Sequence, residues 1–273
     1  FIESEQETWN MCPVFLEEAI KDRLKINKKP KAIIVVDSYG MPAKWDELLE
    51  ISNRYDIPII EDSAEAFGSM YKGRLCGSFG NYSILSFNGN KIITTSSGGA
   101  LLCKDEQDKE RAIYLSTQAK TTSSLYGEVG FNYRMSNVLA SLGIEQLKVL
   151  NKRIEQRRDN HTKYHSLVSD LKGVELQQEN SSDFYSNFWL NCIITNNPKI
   201  SKSALIDEFT KQHIEVRPLW FPLHLQDYLK GSLYYGDNFS ETLFDKGLCL
   251  PSSSNLTNEE FNRIGEVFNS FKK

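Results

Sequence analysis

Two short apolar segments, each ending in an aspartate, constrain the fold of this chain more than any other feature. The first runs from Lys31 to Asp37 and the second from Ile57 to Asp62, and neither alternates polar with apolar residues. Between them, residues 42–55 have the apolar periodicity of a helix. A strand, a helix and a second strand with continuous apolar runs is the pattern of a parallel sheet. The sequence therefore predicts an α/β fold with a mostly parallel sheet flanked by helices.

The same patterns divide the chain into domains. Ser136 is a suitable N-cap for a long helix, rich in charged residues, that connects two domains. We predict a large cofactor-binding domain over residues 1–135, the connecting helix over 136–172 and a small C-terminal α+β domain over 173–273. Other elements are predicted as strands over 81–87, 99–104, 188–195 and 214–217 and as helices over 13–26, 105–116, 201–212 and 257–271.

Composition excludes several classes of protein. The chain has 273 residues, a net charge of −4 and no long basic run, so nucleic acid is not a predicted partner. Its apolar runs are only as long as strands, so no membrane partner is predicted. The five cysteines are far apart and never form a Cys-x-x-Cys pair. This spacing argues against a disulfide framework and a zinc site, and we predict a cytoplasmic protein without a bound metal.

Asp62 and Lys91 together point to one cofactor. Asp62 ends an apolar strand, where α/β proteins place their ligands, and Lys91 follows the next strand in an Asn-Gly-Asn turn. Pyridoxal 5′-phosphate (PLP) needs an amine for a Schiff base and an acid that keeps its ring nitrogen protonated. Taken alone, either residue has an ordinary interpretation as a solvated charge. Their occurrence in order favours a PLP site, with Glu65 within reach of the ring hydroxyl and Ser86 as a donor to the phosphate.

Several motifs resemble one enzyme family. They are Glu61-Asp62-Ser63-Ala64-Glu65-Ala66, Ser86-Phe87-Asn88-Gly89-Asn90-Lys91, Gly98-Gly99 and Gly130-Phe131-Asn132-Tyr133-Arg134. In combination, and over essentially the whole chain, they resemble the DegT/DnrJ/EryC1/StrS family of nucleotide-sugar aminotransferases. Further segments resemble the branch that aminates UDP-4-keto-6-deoxy-N-acetylglucosamine on the way to bacillosamine, namely Ser116–Ala119, Arg217–Trp220, His224–Gln226 and Lys246–Ser252.

The resemblance implies a fold-type I PLP-dependent transferase and gives roles to individual residues. Lys91 would be the Schiff-base lysine and proton shuttle, and Asp62 would pair with the pyridinium. Ser86 would bind the phosphate, and Glu65 would lie near the ring hydroxyl, where many relatives carry Gln. Asn132 would reach the phosphate of the partner subunit's cofactor, so that a homodimer shares its active sites.

The resemblance also implies substrates. Arg217 and His224 are candidates for binding the nucleotide sugar, and an amino acid, by resemblance glutamate, would donate the amine in a ping-pong cycle. The product would serve polysaccharide or lipopolysaccharide biosynthesis. A PLP-dependent sugar dehydratase is an alternative that Lys91 disfavours, because such relatives replace this lysine with His.

The start of the chain raises a second alternative. Family members carry a segment before this point, with a phosphate-binding turn and an aromatic ring that stacks on the cofactor. We therefore expect a fragment or a truncated protein. A non-catalytic remnant that keeps dimerisation or nucleotide-sugar binding is the alternative function.

Overall fold

The computed structural model describes residues 1–121 and 125–272, which form helices and three sheets. The helices are α1 (Pro13–Lys25), α2 (Trp45–Tyr55), α3 (Glu106–Ser116), α4 (Asn137–Leu147), α5 (Leu150–Val168), α6 (Lys202–Lys211), α7 (Phe239–Lys246) and α8 (Asn258–Ser270). The strands are β1 (Ile33–Val36), β2 (Ile59–Asp62), β3 (Met70–Tyr71), β4 (Arg74–Leu75), β5 (Tyr82–Ser86), β6 (Gly99–Cys103), β7 (Val174–Leu176), β8 (Phe184–Tyr185), β9 (Asn191–Thr195), β10 (Arg217–Pro218) and β11 (Gly247–Leu250). None of these helices combines the length and the apolar character that a membrane span requires.

The first sheet has the strand order β1-β2-β5-β6. Strand β2 is parallel to both β1 and β5, whereas β6 is antiparallel to β5. Helices α1 and α2 cover one face of this sheet, where Leu16 and Trp45 pack against Val35. On the opposite face Ile34 and Leu101 are 59% and 50% exposed. The mostly parallel sheet predicted from the two apolar runs is confirmed, and its helical cover among the described residues lies mainly on one face.

The C-terminal part is built on a second, antiparallel sheet with the order β10-β11-β9-β7. Helices α5, α6 and α8 pack on it through a core that includes Tyr164, Leu205, Phe209 and Phe268. This α+β arrangement agrees with the pattern predicted beyond Gly173. The domain limits 1–135, 136–172 and 173–273 stay predictions.

The prediction of one continuous helix over 136–172 was wrong, because two helices occupy this segment. Ser136 does cap α4, since its hydroxyl accepts a hydrogen bond from the Leu139 amide. At Val149 the backbone leaves the helical region, with φ −109° and ψ 6°, and its amide bonds to the Gln146 carbonyl, one residue closer than in an α-helix. The break allows α5 to direct Tyr164 into the C-terminal core, while α4 buries none of its residues.

A small third sheet joins the two halves of the chain. Strand β3 pairs with β4 and also with β8, which comes more than a hundred residues later. The rings of Tyr71 and Phe184 lie 5.1 Å apart across this pairing. The segment after β8, which carries Trp189, is therefore held against the large unit.

Glu61 is a buried acid that organises the loop after β4. Its side chain is fully covered, and both of its oxygens accept hydrogen bonds. The donors are the backbone amides of Gly77, Phe79 and Gly80 and the hydroxyls of Ser63 and Ser83. Residue 80 must be glycine here, because a Cβ would lie 2.8 Å from the Glu61 Cβ and 2.5 Å from the Tyr82 carbonyl oxygen. Glu61 thereby determines the course of residues 77–80 beside β2.

Asp37, which follows β1, is a second buried acid next to Glu61. Its Oδ1 accepts hydrogen bonds from the Ala43 amide and the Trp45 indole. Its Oδ2 lies 3.0 Å from the hydroxyl of Ser63, which donates to Glu61. Burial, and after it the charge of Glu61, raises the pKa of Asp37 to about 8. A proton on Asp37 therefore connects the two acids through the Ser63 hydroxyl.

We predict that Asp37→Asn removes a pH-dependent loss of stability. The folded protein keeps the Asp37 proton up to a pKa of about 8, whereas the unfolded chain loses it near a pKa of about 3.9. Within that window the free energy of unfolding falls as pH rises, by about 1.4 kcal/mol per pH unit from this group. Asparagine keeps the shape of the side chain and a donor toward Ser63. Urea denaturation at pH 5, 6 and 7 should therefore show that the free energy of unfolding falls less steeply with pH in the variant than in the wild type.

Asp207→Asn, on the exposed side of α6, is the matched control and should leave the slope unchanged. If Asp37→Asn and the wild type show the same slope, Asp37 is ionised in the folded protein and the interpretation is wrong.

Candidate active site

Asp62 and Ser86 lie on one face of the first sheet at its carboxyl edge. Asp62 is the last residue of β2 and is in register with Ile84 of β5. Side chains in register on neighbouring strands point to the same face, and Ser86, the last residue of β5, is two positions beyond Ile84. The fold therefore brings two of the residues predicted to bind PLP to adjacent strand ends, where parallel sheets bind ligands.

Lys91 lies in the loop between β5 and β6, with its side chain only 13% exposed. Its Nζ is 3.8 Å from Glu65 Oε1 and 4.3 Å from the centre of the Trp189 ring. Burial lowers the pKa of Lys91, and the charges of Glu65 and then Asp62 oppose that effect. An amine whose pKa is lowered by burial supplies the neutral, nucleophilic form more readily than a surface lysine.

The loop that carries Lys91 is held in place from both sides. The Lys91 amide donates to the Asn88 carbonyl, which closes a turn. The Trp189 indole Nε1 donates to the Asn90 carbonyl at 2.8 Å. Trp189 therefore both supports the backbone next to Lys91 and presents its ring to the Lys91 amine.

Glu65 is the acid nearest to Lys91. Its Oε2 accepts a 2.7 Å hydrogen bond from the Tyr39 amide, and its backbone carbonyl accepts one from the Asn187 amide group. Burial raises the pKa of Glu65, while the Tyr39 hydrogen bond and the charge of Lys91 act in the opposite direction. Glu65 and Lys91 therefore form a half-buried pair in which each side chain limits the pKa shift of the other.

Three aromatic residues around this pair were missed by the sequence analysis. The Tyr39 and Trp220 rings stack with centres 5.5 Å apart, and Trp189 lies 6.2 Å from Trp220. The Tyr39 hydroxyl accepts a hydrogen bond from the Trp220 amide, and Tyr39 has a left-handed φ of 59°. Tyr39 could have been found, because it comes three residues after the end of β1 and so reaches the same sheet edge as Asp62. Trp220 belongs to the segment Arg217–Trp220 that carries part of the family resemblance, but no role followed from it, and Trp189 has no comparable sequence pattern.

Asn132 lies outside this cluster. It is exposed, in the segment between α3 and α4, where its backbone pairs with Thr117. A role toward a partner subunit needs an exposed position, so the location is compatible with the prediction, which stays a prediction.

Arg217 and His224 also lie apart from Lys91. Arg217 is 68% exposed on β10 and pairs with Glu215 at 2.7 Å. His224 stacks on Tyr234 with ring centres 4.0 Å apart, and its Nε2 lies 3.2 Å from Glu241. Within residues 1–121 and 125–272, no hydrogen bond, ion pair or ring contact joins either side chain directly to Lys91, Asp62 or Ser86. Their roles toward a nucleotide sugar remain predictions.

The residues at the sheet edge fit PLP. An acid and a hydroxyl, Asp62 and Ser86, stand on one face, which matches a ring nitrogen and a phosphate at opposite ends of one ligand. Lys91 offers an amine that burial favours in its neutral form, and Glu65 lies beside it. PLP would thus be held by Asp62, Ser86 and Lys91.

Comparison with known proteins identifies the family. The DegT/DnrJ/EryC1/StrS aminotransferase family matches residues 1–269. The protein named "Putative pyridoxal phosphate-dependent aminotransferase EpsN" of Bacillus subtilis (strain 168) is 43% identical over 273 residues, which cover 98% of this chain and 70% of that protein. The GDP-perosamine synthase of Escherichia coli O157:H7 is 33% identical over 273 residues, or 99% of this chain and 72% of that protein.

A solved structure shows the same fold. The crystal structure of a DegT DnrJ EryC1 StrS aminotransferase from Brucella abortus superposes with a TM-score of 0.89 at 26% identity, and the match covers 99% of this chain and 72% of that one. The predicted fold-type I architecture, the aminotransferase class and the cofactor PLP are thereby confirmed. The chain belongs to the DegT/DnrJ/EryC1/StrS family of aminotransferases.

Proposed function

We propose that this protein transfers an amino group from an amino acid, glutamate, to a nucleotide-linked 4-keto-6-deoxy sugar. The observation that carries the proposal is the half-buried amine of Lys91 beside Glu65 and Trp189, close to the Asp62 carboxyl at the sheet edge. The name of the E. coli relative, GDP-perosamine synthase, supports a nucleotide-linked sugar as the substrate class. Family membership together with a retained lysine favours this catalytic function over a non-catalytic remnant.

The residues of this chain have distinct tasks in that reaction. PLP, when bound, supplies an electron sink for the carbon that gains or loses the amino group. Asp62 would hold a proton on the pyridine nitrogen by opposite charge, and the Ser86 hydroxyl would donate to the phosphate. Lys91 Nζ would take a proton from the reacting carbon and return it, a task for which a lysine with a lowered pKa is suited. Glu65, beside Lys91, would lie near the ring hydroxyl.

The sugar substrate is UDP-4-keto-6-deoxy-N-acetylglucosamine in this proposal, and the product enters glycan biosynthesis. The segments Arg217–Trp220 and His224–Gln226 support this choice by their resemblance to the bacillosamine branch. Arg217 supplies an exposed cation for a diphosphate, and His224 is a second polar group on the same stretch of chain. The five cysteines are free thiols, which supports a cytoplasmic location.

A homodimer with shared active sites is part of the proposal. The segment 125–147, which contains Asn132 and α4, exposes large apolar side chains. Val129 is 83% exposed and Val138 is 79% exposed. Large exposed apolar patches mark interaction surfaces, so this segment is the proposed subunit interface. An Asn132 side chain on that interface would reach the partner subunit's cofactor.

Lys91→Ala tests the catalytic assignment. With PLP added, the wild-type protein should gain a visible absorption band and should aminate the UDP-linked 4-keto sugar with glutamate as donor. The variant should lose the band and at least about 10³-fold in kcat, because the amine and the proton shuttle are removed together. Lys109→Ala, on the surface of α3 and paired with Glu106, should behave as wild type. Turnover by Lys91→Ala at the wild-type rate would overturn the assignment.

Glu65→Gln tests the coupling between Glu65 and Lys91. The negative charge of Glu65 raises the pKa of Lys91, so its removal should lower that pKa further. PLP reacts with the neutral amine, and the pH at which PLP incorporation begins should therefore shift downward in the variant. Incorporation is followed by absorbance over a pH series. Glu106→Gln, which removes the acid paired with Lys109, is the control. An unchanged or higher onset would contradict the coupling.

Val138→Asp tests the proposed interface. A carboxylate at an apolar interface loses hydration without gaining a partner, so the dimer should dissociate at concentrations where the wild type is dimeric. Light scattering after size exclusion measures the mass. Val14→Asp, at a valine that is 64% exposed on α1, is the matched control and should remain dimeric. A monomeric wild type, or a dimeric Val138→Asp, would refute the interface.

A further inference from the structure

A cavity of about 460 Å³ lies behind the loop that carries Lys91. The Lys91 loop forms one wall, and α5 contributes Arg153 and Arg157 to another. The segment 252–255, which follows β11, lines the cavity from the C-terminal unit. Ligand sites occur preferentially at such junctions between structural units.

The cavity has a positive lining. Arg153 and Arg157 contribute its charges, and no aspartate or glutamate is found among the described residues that form its walls. The other polar groups are neutral, including the hydroxyls of Ser252 and Ser254. An anion that enters this space meets cations and hydrogen-bond donors without a competing carboxylate of the protein.

The two arginines lack the counter-charges that buried or neighbouring cations normally have. They are four residues apart on α5 and thus share one helix face, where like charges repel. Neither forms an ion pair within the described part of the chain; Arg153 contacts Ser254 Oγ at 3.4 Å and Gln156 Oε1 at 3.3 Å. Arg157 is only 7% exposed and donates from NH1 to the Trp189 carbonyl, and its Nε–H has no partner among the described residues. A buried guanidinium with an unused donor is costly unless a ligand satisfies it.

Trp189 connects this cavity to Lys91. Its carbonyl accepts from Arg157, its indole donates to the Asn90 carbonyl, and its ring faces the Lys91 amine. An anion bound by Arg157 would therefore lie beside a residue that contacts Trp189, and Trp189 supports the loop of the proposed catalytic lysine.

We propose that this cavity is the carboxylate subsite for the amino-acid donor, with Arg153 and Arg157 as its binding residues. The inference rests on the proposed transamination, because only that reaction requires a carboxylate-bearing donor next to Lys91. Two guanidinium groups one helical turn apart suit a dicarboxylic amino acid such as glutamate. The planar fork of each guanidinium matches a carboxylate, and the bonds formed are charge-assisted.

Equilibrium binding of 2-oxoglutarate, the keto acid of glutamate, tests the subsite without turnover. Titration calorimetry on the wild-type protein should detect binding, and Arg153→Gln should weaken it about tenfold or more, since one charge-assisted hydrogen bond is lost. Because Arg157 is buried, the second variant is Arg157→Lys, which keeps the charge, loses the planar fork and should also weaken binding. Arg111→Gln, whose guanidinium pairs with Glu128 elsewhere, should bind as wild type.

Kinetics separate a binding role from a structural one. In Arg153→Gln the KM for glutamate should rise about tenfold or more, while the KM for the sugar and the visible PLP band stay unchanged. If the wild-type protein gained no visible band with PLP, the proposed function would be refuted. The 2-oxoglutarate titration would still test whether the cavity binds a carboxylate. Unchanged 2-oxoglutarate binding in both arginine variants would overturn the subsite. Tighter binding of inorganic phosphate than of 2-oxoglutarate, lost in Arg153→Gln, would also overturn it and identify a phosphate site.

Discussion

In the proposed active site, the chemistry depends on the position of one amine. Lys91 Nζ is half-buried, with the Glu65 carboxyl on one side and the Trp189 ring on the other. Burial favours the neutral amine, whereas the acid and the aromatic ring favour the charged one. This opposition suits the two tasks proposed for Lys91, those of a nucleophile and of a proton carrier. A fully exposed lysine lacks the first property, and a lysine buried without partners would cost too much stability.

Several parts of the structure hold the proposed site residues in place. The parallel register of β1, β2 and β5 aligns the strand ends that carry Asp62 and Ser86. Glu61 accepts hydrogen bonds from the loop 77–80, and the Ser63 hydroxyl bridges Glu61 and Asp37. From the C-terminal unit, Trp189 reaches back to the Lys91 loop. The site is therefore assembled by residues far apart in sequence, and its geometry depends on the contact between the two units.

Much of the secondary structure could be predicted, because it is specified by residues that are close together in the sequence. Continuous apolar runs over 31–37 and 57–62 correspond to β1 and β2, with differences of one or two residues at the ends. Most helix limits were equally close, although the helix predicted over 42–55 begins three residues later, at Trp45. The helices predicted from residues 105 and 201 do start there, because Asp105 and Ser201 cap them by accepting amide hydrogen bonds. The single long helix failed because the helical pattern continues across Val149, and only the packing of α5 on the C-terminal core shows where the chain turns.

By itself, the sequence determined the strand-helix-strand pattern, the order of Asp62, Ser86 and Lys91, and the family, because each of these is carried by neighbouring residues or by short motifs. Tertiary structure alone decided that Tyr39, Trp189 and Trp220 surround the Glu65–Lys91 pair and that Arg153 and Arg157 share a cavity with the Lys91 loop. The physical reason is that the sequence does not show whether an aromatic ring or a guanidinium lies on the surface or in a pocket. Its function depends on burial and on partners that only the folded chain brings within a few ångströms.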